Sequence, residues 1–234
     1  MDLMLETLVQ GAREAGLELS RETAQKLCRF GREVVEQNQV MNLTAITEDA
    51  AVAKLHLLDS LMPLKLMPMG EKKLIDVGCG AGFPGVPLKI ACPELELTLL
   101  DSLGKRINWL ESTALPRLGV EARCITARAE EAVADLRESF DFATSRAVAR
   151  LNILLELTAP FVKVGGFVLA LKGTAAREEL GEAKNAIRRL GLETRQVAVF
   201  PMDGTEHAVI VLEKVAPTPA QYPRRYAKIK ANPL

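Results

Sequence analysis

Histidine, cysteine and aromatic residues are all scarce in this 234-residue chain, and each scarcity removes a class of chemistry. One Trp, two Tyr and seven Phe leave no material for a broad base-stacking platform. Four cysteines (Cys28, Cys79, Cys92, Cys124) without a CxxC pair, and only two histidines, signal neither a disulfide framework nor a zinc site. No apolar run approaches the roughly 20 residues that a membrane-spanning helix needs. The start, "MDLMLETLVQGAREAG", is broken by acids before a signal-peptide core forms. A cytoplasmic protein with reduced thiols, no structural metal and no membrane contact is expected. Net charge is also missing: 30 basic residues balance 30 acidic ones, which excludes a protein that coats nucleic acid by charge alone. The balance is uneven along the chain, because Pro217 to Leu234 holds Arg224, Arg225, Lys228 and Lys230 and no acid.

What is present divides into three stretches. Residues 1–70 read as a helical lobe: Ala24, Leu27, Phe30, Val34 and Val35 recur at helical spacing after a Ser20 N-cap, and Thr47 offers a cap for "EDAAVAKLHLLDSL". From 71 to 215 the texture changes to "KLIDV", "LELTLL", "VEARCI", "FDFAT", "FVLALK", "RQVAVF" and "AVIVLE". Helix-length segments separate the first five, so a mostly parallel seven-stranded sheet covered on both faces is expected. Only "PMDGTEH" separates the last two, too short for a crossover, so they should form an antiparallel hairpin at the sheet edge. Residues 216–234 read as a Pro-rich linker followed by a basic arm.

The richest signal is "DVGCGAGFPG", residues 76–85, four glycines directly after the first strand. Such a turn lets backbone approach a ligand closely. Gly80, Gly82 and Gly85 satisfy the dinucleotide pattern of an NAD enzyme, a weak signal that places Pro84 in the phosphate-facing helix start. Asp76, Gly78, Gly80 and Gly82 fit the strand better, and a carboxylate at the strand end repels a pyrophosphate but accepts a ligand carrying an ammonium group. Asp101 ends the second strand 23 residues beyond Gly78, where an acid binds ribose hydroxyls of NAD or S-adenosylmethionine, or else merely favours a helix N-terminus. Ser102 can assist or cap. Ala129 and Glu130, after the third strand, border an adenine ring if the strands run 3-2-1-4, although Glu130 is equally an ordinary first-turn acid. Arg146 follows strand four as an anion binder. Lys105, Arg106, Arg150 and Lys172 ring the same carboxyl edge, and with Arg224 and Arg225 of the arm they are the candidates for RNA phosphates, Arg150 being otherwise a plain exposed helix arginine. His56 and His207 fall outside these crevice segments and read as structural, His56 with Asp59 bracing the lobe.

Taken in order, "NLTAI", "HLLDSL", "DVGCGAGFPGVPLKI", "LLDSLGKR", "RAE", "SRAVA", "LALKG" and "YPRR" resemble the bacterial 16S rRNA guanine-N7 methyltransferase family called RsmG or GidB. The resemblance implies a Rossmann-like class I fold and an S-adenosyl-L-methionine pocket of Gly78, Phe83, Asp101, Ser102, Ala129, Glu130 and Arg146, with Gly80 and Gly82 shaping the loop. It further implies a substrate, one guanine in the decoding-region loop of 16S rRNA, met free or within a small ribosomal subunit or its precursor. No catalytic base is expected, because guanine N7 carries an in-plane lone pair at neutral pH. A monomer is expected. The chain departs from the family's Y-P-R-K-x-G-x-P ending, with Ala227 for the glycine and Ile229 for the proline.

Overall fold

The computed structural model describes residues 2–234. Seven strands form one sheet: β1 (Lys73–Val77), β2 (Glu96–Asp101), β3 (Arg123–Thr126), β4 (Phe140–Arg146), β5 (Val162–Lys172), β6 (Leu192–Met202) and β7 (Thr205–Lys214). Their order is β3-β2-β1-β4-β5-β7-β6. The pairs among β1 to β5 are parallel, and β7 lies antiparallel between β5 and β6. The expected edge hairpin is thus present, with β6 outermost.

Strand alternation divides the core into two layers. Leu74, Leu97, Leu99 and Phe142 face one layer, which also holds Leu27, Phe30, Leu57 and Leu61 of the N-terminal helices. Ile75, Val77, Leu100 and Ala143 face the other, under the Ala129–Leu136 and Leu151–Thr158 helices. The N-terminal helices therefore share one continuous apolar cluster with the sheet. Ser20 caps the Arg21–Met41 helix by accepting from the Thr23 N–H, and Asn42 ends it in the left-handed region. Thr47 does not cap: the next helix starts at Asp49 after Glu48, with no side-chain cap. Thr44 organises the connection instead, its N–H donating to Asn38 Oδ1 and its hydroxyl accepting from the Ile46 N–H. A π-wound turn, Val52–Leu58, follows, a distortion that often marks functional positions.

The C-terminal stretch is not a loose linker and arm. Thr218 donates from its N–H to Glu138 and from its hydroxyl to the Leu190 carbonyl, Tyr222 is buried, and Ile229 of the Tyr226–Ala231 helix is fully buried. Arg224 grips Glu156 at 2.8 and 2.6 Å, and the Glu156 carboxylate is wholly buried.

Candidate active site

A crevice of about 1130 Å³ opens at the carboxyl edge of β1 to β4, where strand order reverses about β1. Its floor is the glycine turn. Gly78, Gly80 and Gly82 all have positive φ (73°, 56° and 95°). They differ in what they face. A Cβ on Gly78 would strike Val148 Cγ2 at 2.6 Å, and a Cβ on Gly80 would meet nothing nearer than Arg106 at 3.9 Å. A Cβ on Gly82 would meet Val86, Leu110 and Phe30 in the core, so Gly82 shapes the turn without lining the crevice. Asp101 fastens the turn, accepting from the Gly80 N–H at 2.9 Å and from the Leu103 N–H at 2.8 Å. Each oxygen keeps a second lone pair. Ser102, Ala129 and Glu130 line the neighbouring wall. Ser102 is not the helix cap, because Leu103 holds that place before Gly104–Trp109.

Asp76 does not face a ligand. It is in phase with Leu74, so it points under the Gly85–Ala91 helix, wholly buried, and accepts from the Gly85 N–H at 2.8 Å. Burial pushes its carboxyl up to about 7, with the Gly85 bond and the Arg146 charge opposing, and Oδ1 has no hydrogen-bond partner among the described residues. A carboxyl raised from 3.8 contributes stability that is complete below pH 3.8 and is lost as pH rises through about 7. Asp76→Asn stays uncharged throughout. Its stability relative to the parent should rise between pH 5 and pH 8, read as the difference in urea midpoints; equal differences at both values would remove the Asp76 proton from the account.

The opposite wall holds a cluster that sequence reasoning misassigned. Asp59 does not pair with His56. One oxygen accepts from Arg146 at 3.0 Å and the other faces His207 Nδ1 at 2.9 Å. His56 contacts the Thr44 hydroxyl at 2.7 Å and Arg146 at 3.2 Å, and stacks on Phe83 with centroids 4.8 Å apart. Both histidines line the crevice. Burial, then the Arg146 charge, pushes His56 down to about 4, so it is neutral at pH 7, whereas the Asp59 contact raises His207. Arg146 sits in the crevice with its guanidinium 4.9 Å from the Phe83 centroid, paired to Asp59 and not free. Phe83 itself is buried, packed by His56, Phe30 and Arg146. The signal for His207 was legible: β7 is antiparallel, so its first residues lie at the edge where the parallel strands end.

Several expected phosphate contacts are spoken for. Lys172 is partly buried, 2.7 Å from Glu179 and bonded to the Ala149 carbonyl. Arg150 pairs with Glu178 and Glu182, Arg106 lies 3.7 Å from Asp101, and Arg224 is held by Glu156. These cations order the edge by holding its acids. Lys105 and Arg225 are exposed, as is Arg128, a crevice-lining arginine that the sequence reading passed over. None of the three pairs with an acid among the described residues.

Among proteins of known family, the chain matches GidB, described as rRNA small subunit methyltransferase G, over residues 23–208. It is 45% identical over 233 residues to the Ribosomal RNA small subunit methyltransferase G of Alkaliphilus oremlandii (97% of each chain). It is likewise 45% identical over 235 residues to that of Caldanaerobacter subterraneus (98% of each). Among solved structures, a 16S rRNA (adenine(1408)-N(1))-methyltransferase from Catenulisporales acidiphilia, with cosubstrate SAM, superposes with a TM-score of 0.53 at 17% identity. That match covers 64% of this chain and 88% of the other. A sarcosine dimethylglycine methyltransferase from Galdieria sulphuraria, described as putative in its own name, gives 0.56 at 12% identity over 72% and 88%. At such identities the likeness establishes the fold, the Rossmann-like class I methyltransferase arrangement.

Proposed function

The chain belongs to the rRNA small subunit methyltransferase G family, and from that premise we propose that it transfers the methyl group of S-adenosyl-L-methionine to N7 of one guanine in the decoding-region loop of 16S rRNA. It is an S-adenosyl-L-methionine-dependent methyltransferase of small-subunit rRNA. The finer reading adds that it acts as a cytoplasmic monomer on rRNA, free or in a small subunit or its precursor. It also adopts the division into a helical lobe (1–70), a methyltransferase domain (71–215) and a C-terminal arm (216–234).

One observation carries the cofactor site: the Gly78–Gly80 main chain lines the crevice, bare at Gly80, and is fastened to Asp101 at the point where strand order reverses. This fits the cofactor's two polar ends. The bared turn receives the amino-acid end, the free lone pairs of Asp101 and the Ser102 hydroxyl receive the ribose, and Ala129 with Glu130 border the adenine. Arg146 flanks the space left for the acceptor, while Gly82 and Phe83 act through shape. Bound there, the cofactor supplies a methyl group on a positively charged sulfur. Attack from N7 needs no prior loss of a proton, and the crevice agrees. Asp59, Asp101, Glu130 and Glu179 each already accept from a protein group, and His56 is a neutral side chain held in place. The residues' task is to align the acceptor, a contribution that reaches roughly 7 to 11 kcal/mol in favourable cases.

The test is mapping of 7-methylguanosine in small-subunit rRNA from cells with and without the gene, alongside calorimetry with S-adenosylhomocysteine; an unchanged modification map would sink the guanine reading. For the RNA, Lys105→Ala and Arg128→Ala should each lower the slope of log affinity against log salt by about 0.7 to 0.9. Lys172→Ala should leave that slope alone, because its charge is already neutralised by Glu179. A steeper loss for Lys172 than for the two exposed residues would reverse this assignment.

A further inference from the structure

Resting on the cofactor site just described, we infer that Tyr226 is an adenine-contacting residue, and that the C-terminal arm is a wall of the cofactor pocket more than a grip on RNA. The arm is docked at several points, so its position is determined. Arg224 is fixed to Glu156, Ile229 is buried, and the Tyr226 N–H donates to Glu130 Oε1 at 3.3 Å. This last bond ties the arm to the very segment, Ala127 to Glu130, that lines the adenine end of the crevice.

Of the Phe, Tyr and Trp residues among the described ones, only Phe83 and Tyr226 line the crevice. Phe83 is 6% exposed, its ring covered by His56, Phe30 and Arg146, so it offers a purine no face. Tyr226 is partly exposed and makes no side-chain hydrogen bond among the described residues. A second observation points to an apolar, flat occupant at this end. Leu103, directly after the ribose-binding pair, lines the crevice with 52% of its surface exposed, an unusual exposure for leucine within a concave site. Leu103, Ala129 and Tyr226 line the same crevice, and on this inference the base packs between the leucine and the tyrosine, over the small alanine. A tyrosine on a docked arm loses little conformational freedom when a base stacks on it, and stacking is indifferent to charge.

The experiment is calorimetry on the full chain with two probes, S-adenosylhomocysteine and 5′-methylthioadenosine, which share adenine and differ at the amino-acid end. Tyr226→Ala should weaken both about tenfold, the range expected for one lost aromatic stack. Tyr226→Phe should restore both to within about twofold, and Tyr226→Leu, which keeps bulk to support the arm, should fall between. Parental binding of both probes with unchanged affinities in the Ala and Leu variants would overturn the inference and leave the cofactor site standing. Weakening of S-adenosylhomocysteine alone would overturn it too, placing the effect at the other end. A parent that binds neither probe would overturn the cofactor site itself, and this inference with it.

Discussion

Asp101→Ala should bind S-adenosylhomocysteine at least a hundredfold more weakly than the parent while remaining folded. The carboxylate makes two charge-assisted hydrogen bonds to main-chain N–H groups, at Gly80 and Leu103, and is 6% exposed. Bonds to a charged partner contribute roughly 1.5 to 3 kcal/mol each. A hundredfold change corresponds to about 2.7 kcal/mol, so release of the turn together with loss of the ribose partner reaches that size. The two donors released belong to Gly80, which is partly exposed, and Leu103, which is exposed, so water can satisfy them, which is why unfolding is not expected. Asp101→Asn keeps one acceptor and should fall between parent and alanine. Calorimetry reads all three, and an alanine variant within fivefold of the parent would reduce Asp101 to a brace with no part in binding.

Arg224→Ala should lower the melting temperature by about 10 °C. The substitution strands the Glu156 carboxylate, which is fully buried and accepts from Arg224 at its N–H, Nε and Nη2. Removing one partner of a buried pair costs about 3 to 5 kcal/mol. In a chain of this size each kcal/mol moves the midpoint by about 2 to 4 °C. Replacing both partners, Glu156→Leu with Arg224→Met, removes the stranded charge and should recover most of the loss. Scanning calorimetry decides. A shift under 2 °C in the single variant, accompanied by weaker RNA binding, would return Arg224 to the phosphate contacts from which its position removes it.

The architecture was readable because each strand carried its own signal. "KLIDV" begins and ends where β1 does, and the seven residues between the last two apolar runs left no choice but a hairpin. The glycine turn and Asp101 were readable for the same reason: their spacing follows from chain-local geometry. Partners across the fold were not. Arg146 and Arg224 look alike in sequence as cations near a ligand edge, yet each meets an acid from a distant element. Nothing local to "SRAVA" reports that Asp59, 87 residues earlier, will reach it. Asp76 failed differently: its place at a strand end suggested the crevice, and the two-residue alternation from Leu74 sends it beneath the next helix. Counting that alternation would have corrected it.

The pairing of His207 with Asp59 spans 148 residues, and β7, the last strand, is inserted between two earlier ones. Tyr226 comes later still. Asp59, the glycine turn and Asp101 are therefore all encoded within the first 101 residues, and His207 more than a hundred residues later. During synthesis, which runs from the N-terminus, the glycine turn and its acid can assemble while the final wall is still inside the ribosome. A nascent chain grown as far as Asp101 would then hold a half-built pocket, with His207 still to be made.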